Sequence, residues 1–400
     1  MTGTTGTRAD LVDTDVPWCL TPEQRSWRGT VREFTESVLH PGAAQRNIDH
    51  RYDHEIATAM GDLGLYGILV PEQYGGLGGD LASLCVAIEE LARVDPSAAV
   101  TVHVQAINAV LMVKLGNDEQ RARLLPELAS GAAFLSFGLT EAEGGSDAAS
   151  LSTHARRDGG EWVLNGGKQF ITNSGTPASH YSVIVARTGD RHDASLFLVP
   201  TATPGFTVGS GYTKLGWRAS DTHPLFLDDV RVGPDALLGR QGHGLREALN
   251  HLTWARIPFA AMSAGVAQGC LEATHHFVRD RTSFGKPLAA HQSIAFDLAD
   301  IAAMTHTART VTYDACWRYD NGHGYEQAAA ICKLVASELA NKVAYKATQL
   351  HGGYGFMEES TVTRLYRDAR ILTIGEGTSQ IQRMLIARSM GVRFGDEWQL

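Results

Sequence analysis

Apolar residues recur every three or four positions through the first third of the chain, change to a shorter period in the middle, and return to three and four until the end. Leu81, Leu84, Cys85, Ile88, Leu91 and Ala92 share one helical face, and the pattern from residue 21 to 137 is mostly of this kind. Thr21-Pro22-Glu23-Gln24 reads as a capping box with proline at the first helical position, so order is predicted to begin there, after a loose 20-residue tail. Between about 150 and 232, short β-rich runs alternate with turn signals. They are Glu161 to Leu164, Lys168 to Thr172, Tyr181 to Ala186, Ser195 to Val199 and Phe226 to Val232. The Asn165-Gly166 step between the first two has hairpin chemistry. From Gly244 the helical period predicts helices over 244–280, 289–320, 325–350 and 361–392, hence a bundle. In the third, Ile331, Leu334, Val335, Leu339, Val343, Ala347 and Leu350 form one stripe, stopped by Gly352-Gly353. The expected fold is α+β and mainly α: a helical domain over 21–137, a central β-barrel-like domain over 138–238, and a four-helix bundle over 239–400.

Composition narrows the function classes. With 35 basic and 44 acidic residues in 400, the formal charge is −9, which argues against broad attraction to nucleic acid or an anionic membrane. The five cysteines are scattered without a CxxC pair, so a disulfide framework or cysteine zinc site is not expected and a reducing, cytoplasmic setting fits. No uninterrupted apolar run is long enough to suggest a membrane span. The 42 glycines are in excess and without a collagen period, so loops are demanding or backbone comes close to something.

Several segments carry candidate chemistry. Gly75-Gly76-Leu77-Gly78-Gly79 lacks the GxGxxG spacing and a following βαβ unit, so a tight loop between helices is expected rather than a nucleotide site. His50 and His54 stand four apart but have no third ligand, so no metal is expected. Phe137-Gly138-Leu139-Thr140-Glu141 leads into Gly144-Gly145-Ser146-Asp147, which is either an anion- or ring-edge-binding turn or a plain connection between regions. Phe170-Ile171-Thr172-Asn173 ends a β run with an aromatic and a hydroxyl, suited to a planar cofactor and equally to an ordinary strand. Arg281 to Lys286 places cations at a helix end, where they complement its dipole or bind a pyrophosphate. Most pointed is Ile374-Gly375-Glu376-Gly377-Thr378-Ser379-Gln380: a carboxylate between two glycines, before a capping box read at Ser379 and Gln382, is well placed to abstract a proton.

Taken in order, these segments resemble the acyl-CoA dehydrogenase family of flavoproteins over roughly residues 20 to 395. The resemblance rests on GLTEAEGGSD (138–147), QFITNSG (169–175), RDRTSFGKPL (279–288) with His291-Gln292, QLHGGYGF (349–356) and GEGTSQIQR (375–383). It implies FAD held between an N-terminal helical domain, a β domain and a C-terminal bundle, usually in a homotetramer built as a dimer of dimers. Phe137, Leu139, Thr140, Gly145 and Ser146 would line the flavin ring, with Phe170, Ile171 and Thr172 on its other side. Arg281, Phe284 and Gln292 would hold the pyrophosphate and adenosine part, and Gln349 and Gly353 would reach it across a dimer interface. Thr378 and Gln380 would also contact the cofactor. Ser146, Thr253, Arg256, Gly375 and Gly377 would meet the substrate.

The implied chemistry is α,β-dehydrogenation of an acyl thioester. Glu376 would take the Cα proton while a hydride leaves Cβ for flavin N5. Electrons would then pass to an electron-transferring flavoprotein. Burial is expected to raise the pKa of Glu376. The sequence departs from the family at Ala142, where proline is common, and at Phe170, where tryptophan is. Thr253 replaces an aspartate near the carrier arm, and Ala255 fills the place of an alternative base, leaving Glu376 as the matched candidate. Gly375 replaces a tyrosine, which is expected to leave room for a branched or functionalised acyl group. The carrier is CoA or an acyl carrier protein. The alternatives on the same fold are an oxidase or monooxygenase, against which Glu376 argues, and a non-catalytic interaction protein.

Overall fold

Capping side chains set where the first helices begin. In the computed structural model, which describes residues 19–190 and 193–392, α1 (Pro22–Phe34) opens with the expected capping box: Gln24 N donates to Thr21 Oγ1 at 3.2 Å and Thr21 N to Gln24 Oε1 at 2.8 Å. Two short helices come next, α2 (Ala43–Ile48) and α3 (His54–Asp62), the latter capped by Asp53. Leu77, Gly78 and Gly79 donate backbone hydrogen bonds to Gly67, Val70 and Ile68, so the glycine cluster is the tight loop that the spacing predicts. Beyond it lie α4 (Leu81–Val94) and α5 (Pro96–Leu115), with α6 (Asp118–Ser130) after them. Asp95 alone separates α4 from α5, extended and buried, and its carboxylate caps α5 through Ser97 N at 3.0 Å.

Helix α5 is apolar on nearly every side. It has the length and hydropathy of a membrane span, a property that its polar interruptions hide in the sequence, but 78% of that window is buried inside the fold. Its few polar residues are put to use. Gln105 donates to the Ala133 carbonyl at 2.8 Å and accepts from Leu135 N at 3.1 Å, and Asn108 donates to the Leu135 carbonyl at 2.6 Å. These bonds fix the start of the first strand.

The central region is a mixed sheet: β1 (Leu135–Gly138), β2 (His154–Asp158), β3 (Glu161–Thr172), β4 (Tyr181–Arg187), β5 (Ala194–Pro200), β6 (Phe206–Val208), β7 (Thr222–Val232) and β8 (Leu237–Leu238). The strand order is β6-β7-β3-β2-β4-β5-β8, with β1 also pairing β4 in parallel. Asn165-Gly166 is not a hairpin. The β2–β3 turn lies at Gly159-Gly160, and Asn165-Gly166 instead marks a register shift inside one 12-residue strand. Asn165 spends its amide on Asp229 across the sheet, donating to Oδ1 at 3.0 Å and accepting from the Asp229 backbone N–H at 2.9 Å.

The C-terminal bundle contains α7 (Gly244–Asp280, 37 residues), α8 (Gln292–Asp320) and α9 (Glu326–His351). The fourth predicted helix is broken into α10 (Thr361–Ala369) and α11 (Ser379–Ser389) by residues 370–378, the stretch that carries Glu376. Two tiny strands, β9 (Thr282–Ser283) and β10 (Lys286–Pro287), form a hairpin after α7. At its tip Phe284 and Gly285 both have positive φ, and Phe284 is 94% exposed.

Helices α4 and α7 join the first and last regions through backbone contact. A Cβ at Gly265 would come within 2.3 Å of the Glu89 carbonyl oxygen, and one at Gly269 within 2.2 Å of that of Arg93. Around this contact lie buried ion pairs. Arg309 Nε donates to Glu89 Oε1 at 2.6 Å, the Tyr313 hydroxyl donates to Glu89 Oε2 at 2.8 Å, and Arg93 meets Glu272 at 2.8 Å. Burial opposes ionisation of Glu90, but Arg32, Arg28 and Arg93 outweigh it and bring its pKa down to about 2. Gly269→Ala must therefore push the two helices apart. The variant is expected to lose about 1–3 kcal/mol, read as a lowered thermal unfolding midpoint, whereas an unchanged midpoint would show that the close approach is dispensable.

Candidate active site

Glu376 sits on the broken part of the bundle in a left-handed conformation, φ +53°, and the next residue, Gly377, has φ +85°. A left-handed glutamate is strained by about 1–2 kcal/mol, so its surroundings must hold it. Gln382 donates to the carbonyls of Glu376 at 3.2 Å and Gly377 at 3.0 Å, and Lys333 donates to the Gly377 carbonyl at 2.7 Å. A Cβ at position 377 would meet the Gln382 amide nitrogen at 2.8 Å, so this glycine serves both conformation and space. The expected capping box at Ser379 is displaced by one residue. Thr378 is the N-cap, accepting from Ile381 N at 3.3 Å, and Gln382 is committed to the turn instead.

The carboxylate of Glu376 is drawn toward three helices. His103 of α5 places Nε2 3.5 Å from Glu376 Oε1, and Glu376 Oε2 is buried with no hydrogen-bond partner. Burial is the largest influence on Glu376 and acts upward, but His103, His251 and Arg256 together outweigh it. The pKa therefore lies below the ordinary glutamate range, opposite to the expectation from burial alone. His251 of α7 is itself held neutral, pushed down to about 3 by burial against the opposing pull of Glu376. Burial likewise brings Lys333 down to about 8 while Glu376 supports its charge. The space beside Gly375 is partly taken: a Cβ there would meet the Phe259 ring at 3.4 Å, and Phe259 packs edge-on against His103 and Trp217.

A second group of predicted residues forms a rim on the sheet. Gln169 N donates to the Thr140 carbonyl at 2.9 Å, which sets Leu139 and Thr140 beside Phe170, Ile171 and Thr172. The β3–β7 register shifts between Lys168 and Ile171, and Phe170 takes φ +62° there. Its ring is thereby turned outward, 65% exposed, with Tyr212 5.2 Å away. Phe137 faces His251, ring centroids 5.9 Å apart, which ties this rim to the neighbourhood of Glu376. Gly145 and Ser146 are exposed, and a Cβ at Gly145 would touch nothing within 4 Å. Beneath the rim lies a pair made by Glu141 of the 138–147 segment and Lys168, which directly precedes the 169–175 segment. Lys168 Nζ meets Glu141 Oε1 at 2.6 Å and the Leu139 carbonyl at 3.2 Å, and Glu141 also accepts from Ser152 N and Thr153 N. Burial works against both charges; Lys168 falls to about 8, while Lys168, Ser152 and Thr153 carry Glu141 down to about 2.

The remaining candidates divide. Arg256 is buried near Glu376, while Thr253 turns its hydroxyl back onto the Leu249 carbonyl at 2.9 Å. Gln380 is exposed on α11. Arg281 lies over the Tyr354 ring at 5.7 Å, and Phe277 stacks on His351 at 4.2 Å, so Arg281 and Phe284 share one end of the bundle with Gln349 and Gly353. Gln292 opens α8 close by, and Gln292, Gln349 and Gly353 are exposed. Along α7, Arg281 lies about 37 Å from Arg256. The structure therefore gathers these five residues in one place, well away from the carboxylate.

His103, His251, Lys333, Phe259 and the Glu141–Lys168 pair do not stand out in the sequence. A histidine inside the apolar run of α5 and a lysine inside the α9 stripe are the signals that it offers. The residues present do fit a planar cofactor, since the rim offers an outward aromatic and an open glycine, and the nearby Glu376 has a buried carboxylate oxygen without a partner.

Comparison with known proteins agrees with this arrangement. Acyl-CoA dehydrogenase family models match the N-terminal domain over residues 21–132, the middle domain over 136–230 and the C-terminal domain over 242–391. The chain is 39% identical over 376 residues to a probable acyl-CoA dehydrogenase, YngJ, of Bacillus subtilis, covering 93% of this chain and 98% of that one. It superposes on butyryl-CoA dehydrogenase from Megasphaera elsdenii with a TM-score of 0.90 at 35% identity, covering 93% and 99% of the two chains. A glutaryl-CoA dehydrogenase from Mycobacterium smegmatis, solved in complex with FADH2, gives 0.91 at 30% identity over 96% and 98%. The protein is an oxidoreductase of the flavin-dependent kind, and the chain belongs to the acyl-CoA dehydrogenase family.

Because the Lys168–Glu141 pair is buried, removing one partner strands the other. Lys168→Met is expected to cost about 3–5 kcal/mol, and Lys168→Met with Glu141→Gln is expected to recover part of it. Thermal unfolding of the two variants checks this; equal losses would mean that the stranded charge is not the cause.

Proposed function

We propose that the protein catalyses FAD-dependent α,β-dehydrogenation of an acyl-CoA, with Glu376 as the base that removes the Cα proton. The observation that carries this reading is Glu376 itself: a left-handed residue whose carboxylate has Oε2 buried and unpartnered and lies among side chains that favour its ionised form. FAD, when bound, supplies the acceptor for the hydride that leaves Cβ. Leu139, Thr140, Phe170, Ile171 and Thr172 would seat the flavin ring, and Gly145 and Ser146 would close over its edge. The backbone N–H of Glu376 would stabilise the charge that develops on the thioester oxygen as the proton leaves. Arg256 would oppose the anionic carrier arm. Electrons would then leave to an electron-transferring flavoprotein.

The distance along α7 supports a second element of the reading. Arg281, Phe284, Gln292, Gln349 and Gly353 lie too far from Glu376 to hold the same flavin in one chain, and would serve the pyrophosphate and adenosine of a neighbouring copy. Sedimentation of the FAD-loaded protein reads that assembly, and a monomer that retains FAD would exclude it.

Glu376→Gln should keep FAD but slow flavin bleaching by acyl-CoA by about 10²–10⁴-fold. Normal bleaching by that variant would remove Glu376 from the role of base. In the wild type, kcat/KM should stay level on acidification from neutral pH, because a lowered pKa keeps the base ionised until the pH drops below about 4.3, the ordinary glutamate value. A limb centred near neutral pH would point to a different titrating group.

A further inference from the structure

The dehydrogenase reading uses His103 for its influence on the charge of Glu376 and leaves its hydrogen-bonding capacity unspent. His103 is 1% exposed, in the middle of an apolar helix, and neither ring nitrogen has a hydrogen-bond partner. Phe259 packs edge-on against its ring with centroids 5.7 Å apart, while Nε2 faces Glu376 Oε1 from 3.5 Å. His251 is also buried with both nitrogens unpartnered, and Arg256 has an unpartnered Nε. A buried polar atom without a partner costs about 1–3 kcal/mol. A plain hydrocarbon chain beside His103 would leave that cost unrelieved, because at 3.5 Å Glu376 gives the ring an electrostatic partner and not a hydrogen bond.

We propose that His103 is a specificity-determining residue that selects acyl groups carrying an uncharged oxygen, hydroxyl or carbonyl, on the carbon next to the reacting pair. The proposal rests on the dehydrogenase reading above. A base works within about 3.2 Å of the proton it takes, so Cα must come beside Glu376. With His103 3.5 Å from Oε1 of that carboxylate, Nε2 lies within about 7 Å of Cα when Oε1 takes the proton. A hydrogen bond of about 2.9 Å then reaches an oxygen on C4, one carbon past Cβ. The ring nitrogens of an imidazole can supply a donor and an acceptor, which a hydroxyl satisfies together and a carbonyl satisfies in part. A carboxylate at that place would sit against the Glu376 charge, and an ammonium would sit among Arg256 and Lys333. The reaction itself is unaltered. The C2 proton goes to Glu376, the C3 hydride goes to the FAD acceptor, and the C4 oxygen stays as it was.

The test compares 4-hydroxybutyryl-CoA with pentanoyl-CoA, which match in heavy-atom count, by anaerobic flavin reduction in the FAD-loaded enzyme. A site built to bond a substrate hydroxyl discriminates strongly against the analogue lacking it. The wild type should favour the hydroxy thioester in kcat/KM by at least about tenfold. His103→Leu should lose or invert that preference, and His103→Gln, which keeps a donor and an acceptor, should restore part of it. FAD content and circular dichroism of each variant establish that it is folded. Equal or better use of pentanoyl-CoA by the wild type, an unchanged ratio in His103→Leu, or a preference for glutaryl-CoA would each overturn the proposal while leaving the dehydrogenase reading intact. Failure of both thioesters to bleach a fully loaded flavin would instead count against the dehydrogenase reading. In that event, calorimetric affinities of the two thioesters for the Glu376→Gln holoprotein decide His103 alone: a ratio near one overturns its selective role, and a tenfold ratio supports it.

Discussion

Everything that matters to the site hangs from the place where α4 and α7 touch backbone to backbone. Gly265 and Gly269 allow that approach, and the approach in turn encloses Glu89, Arg93, Arg309 and Tyr313 as a satisfied polar layer. Buried charges of this kind are poor sources of net stability, since desolvation cancels most of their attraction. Their effect here is geometric. They admit one register between the N-terminal helices and the bundle, and that register brings His103 of α5 opposite Glu376 of the bundle.

The electrostatics of the site arise from the same convergence. Desolvation alone would make Glu376 a weak acid, as it does for Asp368, whose buried carboxyl is lifted to about 6 even though Trp217 N donates to it. Glu376 differs because polar and charged groups on two helices, His103 of α5 with His251 and Arg256 of α7, outweigh its burial. The base is thereby kept ready in its ionised form, and its reactivity must come from placement beside the substrate and from exclusion of water rather than from a raised pKa. His251, neutral at any ordinary pH, adds polarity without adding charge.

Much of this is legible in the sequence, and the failures have physical causes. Period alone gives the helix–sheet–helix order, and the Thr21 box gives the first ordered turn. Asn165-Gly166 misleads because hairpin chemistry and bulge chemistry ask for the same backbone freedom; which one results depends on the partner strand, here Asp229 of β7. The last helix is read as one span over 361–392 although Gly375, Gly377 and the box read at Ser379 already mark a turn inside it; in the structure Lys333 and Gln382 donate to the carbonyls of that turn. Glu376 stands out locally, between glycines. Its neighbours do not, since His103, His251 and Lys333 come from three distant segments and acquire meaning only when the chain folds. The Glu141–Lys168 pair escapes for the same reason, 27 residues apart in sequence and joined across the rim.

Helix α7 has one more consequence. It is a single rod of 37 residues that carries His251 and Arg256 near one end and leads directly into Arg281 and Phe284 at the other. Each residue added to a helix shifts the chain beyond it by about 1.5 Å and turns it by about 100°. Substitutions along the rod can be absorbed locally by repacking, but an insertion or deletion of one residue would rotate one functional end a quarter-turn relative to the other. Chain length between these points is therefore under tighter constraint than chain composition, and related sequences should differ in the letters of this segment far more readily than in their number.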